Sequence, residues 1–140
     1  MCGIIGYIGE ERASEKIYSG LEKLEYRGYD SCGVAVFNKD TDEITYSHHT
    51  CAPSEVEHLH ALPDSTCGIG HTRWATHGEV SLLNAHPHHS CDNSVFLVHN
   101  GVIENSDEIK QWLETENCKF YSETDTETLV NLIAFHYNNS

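Results

Sequence analysis

The chain has 140 residues, 39% of them hydrophobic, which suits one globular domain with a single modest core and is too short for two. Acidic residues outnumber basic ones 22 to 8, a formal net charge of −14 with the eleven histidines neutral. A surface this negative repels phosphate backbones and anionic lipid headgroups, so neither a nucleic-acid nor a membrane-surface role is expected. No apolar run approaches the roughly 18 residues of a membrane helix. The N-terminal Met1-Cys2-Gly3-Ile4-Ile5-Gly6 also lacks the basic flank and apolar core of a signal peptide. The expected setting is therefore the cytoplasm, with the six cysteines as free thiols. Five of them read as small, buried, apolar-like residues; Cys2 stands apart because it follows the initiator methionine.

Ile4, Ile5, Tyr7 and Ile8, punctuated by Gly3, Gly6 and Gly9, predict a strand that another backbone approaches closely. Ala13, Ile17, Leu21 and Leu24 recur at helical spacing and predict a helix over residues 11–25, broken by Arg27-Gly28-Tyr29-Asp30-Ser31. Val34–Phe37 and Ile44–Tyr46 read as a hairpin around Asn38–Glu43. Ser54 with Glu57 predicts a capping box for a short helix carrying Val56, Leu59 and Leu62. Residues 67–76 begin as a strand and run into a polar stretch ending near Pro87. Ser94–His99 is an apolar strand stopped by Asn100-Gly101, a pair suited to positive φ. Asn105 with Glu108 predicts a second capping box, opening a helix through Ile109, Trp112 and Leu113. A last helix begins around Thr124–Thr126, with Leu129, Leu132, Ile133 and His136 on one face. Eight of the acids follow residue 99, against Lys110 and Lys119, and read as a solvated helical face. Mixed strands and helices without repeat or linker indicate one layered α+β domain over residues 1–140.

Loss of Met1 would leave Cys2 with both a thiol and a free α-amine. These two groups ordinarily titrate within about one unit of each other, so a nucleophile and its general base can share one residue. Taken singly, each other candidate has a plain structural reading: Arg73 a surface ion pair, Asp125 a carboxylate at a helix N-terminus, Asn100-Gly101 a turn, Trp74 a packing residue. His86-Pro87-His88-His89 and Cys91 invite a zinc reading, but Pro87 breaks the spacing and no second ligand pair accompanies them. His48, His49, His58 and His60 read as surface polar residues.

The blocks Cys2–Gly6, Leu24–Ser31, Gly70–Gly78, Asn84–His88, His99–Asn105 and Ser122–Glu127 occur in order. Together they resemble the glutaminase domain of class II, N-terminal-nucleophile glutamine amidotransferases. Within that class they are similar to the glucosamine-6-phosphate synthase family. Tyr29 and Trp74 separate the chain from the amidophosphoribosyltransferases, which typically carry Gln and Tyr there. The resemblance covers residues 1 to about 133 and implies an αββα sandwich, of which this chain is the N-terminal portion.

By that resemblance, Cys2 attacks the side-chain amide carbon of glutamine, ammonia leaves, and water hydrolyses the γ-glutamyl thioester. The Asn100 amide and the Gly101 N–H form the oxyanion hole. Arg73 holds the substrate carboxylate and Asp125 its ammonium. Trp74, Thr76 and His77 belong to the loop that closes over substrate, and Arg27 and Gly28 support the nucleophile's surroundings. Neither metal nor organic cofactor is implied. The family's domain continues past residue 140 and is followed by sugar isomerase domains, which accept the ammonia; the resemblance also implies a homodimer for the complete enzyme. Two other readings stay open: a catalytically silent module that binds glutamine or pairs with a synthetase subunit, and a non-functional truncated remnant.

Overall fold

A computed structural model describes residues 1–57, 62–76 and 78–140. Its elements are β1 (Gly3–Ile8), α1 (Ala13–Leu24), β2 (Ser31–Asn38), β3 (Glu43–His49), β4 (Cys67–Arg73), β5 (His88–His89), β6 (Phe96–Leu97), α2 (Ser106–Thr115) and α3 (Asp125–Asn138). β1–β4 form an antiparallel sheet in the order β1-β4-β2-β3, and β5 pairs with β6 in a second sheet.

Period-two alternation decides what each face of the large sheet meets. Ile5, Cys32, Val34 and Val36 face α1 and pack on Ala13, Ile17, Tyr18 and Leu21, which are all but fully buried. Burying side chains such as Ile17 and Leu21 stabilises by about 1.5–3 kcal/mol each. α1 starts without a side-chain cap; instead its first N–H, on Ala13, donates to the Ser65 carbonyl at 2.7 Å. The opposite face meets the β5–β6 layer: His71 stacks on His86 at 4.0 Å, and the Tyr46 ring lies 5.3 Å from His89 and 5.5 Å from Phe96. Gly33 permits this approach, since a Cβ there would sit 2.1 Å from the His86 carbonyl oxygen. α3 covers β5 and β6, and α2 packs on α3 with Trp112 edge-on to Phe135 at 4.9 Å. The result is a helix, two sheets and a helical layer, the N-terminal portion of the αββα arrangement.

Several local expectations are corrected. The close approach to β1 is made by side chains and only at Gly3, where a Cβ would meet Thr72 and Leu24; nothing lies within 4 Å of a Cβ at Gly6. Neither capping box forms. Ser54 gives its N–H (2.6 Å) and hydroxyl (3.2 Å) to Glu25, and the described residues here form a 3-10 segment, Pro53–Glu55. Val56 and Leu62 are buried in the core cluster as their spacing requires, while residues 58–61, including Leu59, lie outside the described residues. Asn105 precedes α2 without a side-chain cap bond. The strand expected over 94–99 shortens to Phe96–Leu97, because its partner β5 is itself two residues long. Positive φ falls on Gly101 (147°), with Asn100 not in that region. α3 buries Glu127, Val130, Asn131 and Ala134, whereas Ile133 is 40% exposed, so the face read from apolar spacing is not the one turned inward. Polar anchors decide its rotation: Glu127 accepts the N–H groups of Tyr121 and Ser122, and Asn131 accepts that of Cys91. His48 and His49 are half-buried rather than superficial, and His48 faces the carbonyls of Leu82 and Pro87 across the layers. His58 and His60 lie outside the described residues. Among the cysteines, Cys32 is buried but Cys91 is exposed.

Candidate active site

The face of the large sheet turned away from α1 carries the site. In β4, Gly70 faces Ile17 of α1, so alternation turns His71 and Arg73 to the other side. In β1, Ile5 faces α1, which puts Cys2 on that same side. The register pairs Gly3 with Thr72 and so delivers Cys2 to the end of β4. There the Trp74 N–H donates to the Cys2 sulfur at 3.1 Å. Met1, 75% exposed, gives its N-terminal ammonium to the Arg27 carbonyl at 2.5 Å, so Arg27 flanks the chain start.

Asn100 sits between two groups. Its Nδ2 donates to the Cys2 carbonyl at 3.2 Å, while its Oδ1 accepts from His71 Nε2 at 2.8 Å. The histidine thus orients the amide with its N–H side towards Cys2. Burial lowers the pKa of His71 to about 4, with Arg73 and His99 contributing, so its ring is neutral near pH 7. His71 belongs to the quoted Gly70–Gly78 block, yet nothing in the sequence identifies the partner of its ring, which lies 29 residues away.

Gly28 stands beneath Trp74. Its backbone at φ 100°, ψ 149° is open essentially to glycine, and a Cβ there would lie 2.8 Å from the indole. Asp30 holds the same segment twice: its N–H donates to the Arg73 carbonyl at 2.6 Å and its Oδ2 accepts from Ala75 N–H at 2.7 Å. In the sequence Asp30 stands only in the segment that ends the first helix and in the Leu24–Ser31 block, with nothing to mark its partners.

Arg73 is 4% exposed and donates to the Glu79 carbonyl at 3.0 Å. Asn84, 2% exposed, donates both to that carbonyl (2.9 Å) and to Glu123 (2.8 Å), and accepts the Glu123 N–H at 2.8 Å. Glu123 also accepts the Glu79 N–H at 3.0 Å. The Asn84 and Glu79 hydrogen bonds, with Arg73 nearby, hold the Glu123 carboxyl below its ordinary range. This strap ties the segment after β4 to the start of α3, where Asp125 Oδ2 accepts the Ile103 N–H at 2.7 Å. Cys2, Arg27, Gly28, Trp74 and Asn100 therefore meet directly, while Arg73 and Asp125 join through the strap and the Gly101–Ile103 turn. Thr76 is exposed on the loop between them, and His77 lies outside the described residues.

The remaining histidines of the layer are packed on one another. His86 is edge-on to His88 at 4.6 Å, and His88 Nε2 is hydrogen-bonded to Thr124 Oγ1 at 2.8 Å. Among the described residues no three His, Cys, Asp or Glu side chains are grouped so as to hold a metal ion.

Solved structures with this architecture include glutamine phosphoribosylpyrophosphate amidotransferase from B. subtilis, with a TM-score of 0.78 and 29% identity over 96% of this chain and 29% of that one. A second, described as the allosteric regulatory enzyme of purine biosynthesis, has a TM-score of 0.78 and 27% identity. This fold, with Cys2 immediately before β1, is that of an N-terminal-nucleophile amidotransferase domain. Residues 55–136 match the glutamine amidotransferase domain family, and the chain belongs to that family. Its curated relatives include glutamine–fructose-6-phosphate aminotransferases (isomerizing) from Clostridium acetobutylicum, 48% identical over 98% of this chain, and Oceanobacillus iheyensis, 51% identical over 95%. The chain spans 22% of the length of each. Among the described residues no helix is long and apolar enough to cross a membrane.

Proposed function

We propose that this chain carries the glutaminase half-reaction, converting glutamine to glutamate and ammonia. The observation that carries the reading is the joint placement of Cys2 against the Trp74 N–H and of Asn100, oriented by His71, against the Cys2 carbonyl. With Met1 removed, the new α-amine of Cys2 takes the thiol proton as the sulfur attacks the amide carbon. The Asn100 Nδ2 and the Gly101 N–H receive the charge that develops on the amide oxygen. Collapse of the tetrahedral adduct expels ammonia, which leaves with the transferred proton. Water then adds to the γ-glutamyl thioester, releasing glutamate and restoring the thiol. Arg73 binds the α-carboxylate and Asp125 the α-ammonium, with Trp74, Thr76 and His77 closing above.

The relatives' names support fructose 6-phosphate as the acceptor; in this reading the ammonia passes to it on a sugar isomerase domain, in cis or in trans, and the complete enzyme is cytoplasmic and homodimeric. The test is the intact mass of untagged protein before and after an electrophilic glutamine analogue. Loss of Met1 and a single adduct on Cys2, blocked by excess glutamine and absent from Cys2→Ala, is the expected result. A processed chain that forms no glutamine-protected adduct would refute the proposal.

A further inference from the structure

Cys91 and Cys118 lie away from the site, yet their sulfurs stand 3.2 Å apart, the Cys118 thiol directed at the Cys91 sulfur. Both are held on anchored backbone. Cys91 follows β5 and gives its N–H to Asn131 of α3 at 2.8 Å. Cys118 closes the end of α2: its N–H donates to the Leu113 carbonyl at 3.0 Å, across Asn117 at φ 65°. The two line a cleft of about 150 Å³ bounded by Leu113, Asn131 and Phe135, and Cys91 is exposed. Burial pushes the Cys118 thiol up to about 12, with the adjoining Cys91 sulfur adding to the effect. Cys118 is therefore a poor first nucleophile, and Cys91 is the thiol that an external reagent meets.

We propose that Cys91 and Cys118 form a modification site for low-molecular-weight disulfides, closing to an intramolecular disulfide that joins the β5–β6 loop to the end of α2. In the first step the Cys91 sulfur attacks one sulfur of the reagent; a Cys91–S–S–R bond forms, the reagent's S–S bond breaks, and one R–SH leaves with the Cys91 proton. In the second, Cys118 attacks the Cys91 sulfur and the second R–SH leaves with the Cys118 proton. Two protein thiols are oxidised and one disulfide is reduced to two thiols. The anchored backbones make the second step intramolecular at contact distance, so the mixed disulfide does not accumulate.

The test treats the untagged 140-residue protein with glutathione disulfide, then alkylates it and maps its peptides without reduction. The expected product is a peptide linking Cys91 to Cys118, with no glutathione retained at either. Cys118→Ser should trap the glutathione adduct on Cys91, and Cys91→Ser should leave Cys118 unmodified. The cross-link joins residues 27 apart in sequence, and the oxidised wild type should melt roughly 10 °C higher than the reduced form, a shift lost in either serine variant. A stable Cys91 adduct in the wild type, pairing of either cysteine with a different partner, or no link under full oxidation would each overturn the assignment.

Discussion

Gly28 and Trp74 illustrate how one position governs the candidate nucleophile's surroundings. The glycine backbone lies in a region closed to other residues, and the indole occupies the space that a side chain would need. Gly28→Ala combines backbone strain with a clash, and should cost about 1–3 kcal/mol of stability. It should also displace the Trp74 backbone N–H that meets Cys2. Urea unfolding and the rate of labelling by the glutamine analogue measure the two effects. Full stability together with unchanged labelling would show that the indole accommodates the methyl group.

Among the elements, the segment after β4 matters most, because it has no regular structure of its own to hold Arg73 and Trp74 in place. The strap through Glu79, Asn84 and Glu123 does that, and it ends at the turn into α3. Asn84→Ala removes three hydrogen bonds, leaving the Glu79 carbonyl with Arg73 alone and the Glu123 N–H without its Asn84 acceptor. We expect a loss of roughly 1 kcal/mol, the net contribution of hydrogen bonds whose partners remain solvated or otherwise paired. If Arg73 and Asp125 bind the two ends of the substrate, the KM for glutamine should rise more than kcat falls. Steady-state ammonia release separates the two. A fall in kcat alone would place the strap's influence on Cys2 and Asn100 instead.

Across the whole molecule, the two sheets are joined by neutral histidines. Burial depresses the pKa of His71 to about 4 and of His88 to about 3, against an ordinary 6.5, and lowers His86 as well. The Arg73 cation lies near all three rings, and the His48, His89 and His99 rings packed around them likewise oppose a second charge there. The unfolded chain binds these protons below pH 6.5 and the folded chain does not, so stability rises with pH through this window. It is fully present above about pH 6.5 and is lost as the pH falls towards 4. For His71 alone the loss by pH 4 is on the order of 3 kcal/mol. Thermal melts from pH 7.5 down to 5 isolate the histidines, because most carboxylates stay ionised there. A melting temperature that holds constant over that range would mean that the rings are solvated in solution.

Much of this protein is determined by sequence alone. The order of the six motif blocks pointed to the family, and periodicity located β1, α1 and α3 within two residues and the strands of the β2–β3 hairpin within three. Strand alternation, once β1 and β4 are known to pair, puts Cys2, His71 and Arg73 on one face. These features rest on local propensity and spacing, which neighbouring residues carry. Tertiary structure alone decided which partner each polar group found. Ser54 turned to Glu25, α3 rotated to seat Glu127 and Asn131, His71 met Asn100, and Cys91 met Cys118. Each of these contacts joins residues distant in sequence or chooses among several acceptors within reach. The choice is made by burial, since a polar group taken out of water must be satisfied by whatever the packed layers bring beside it.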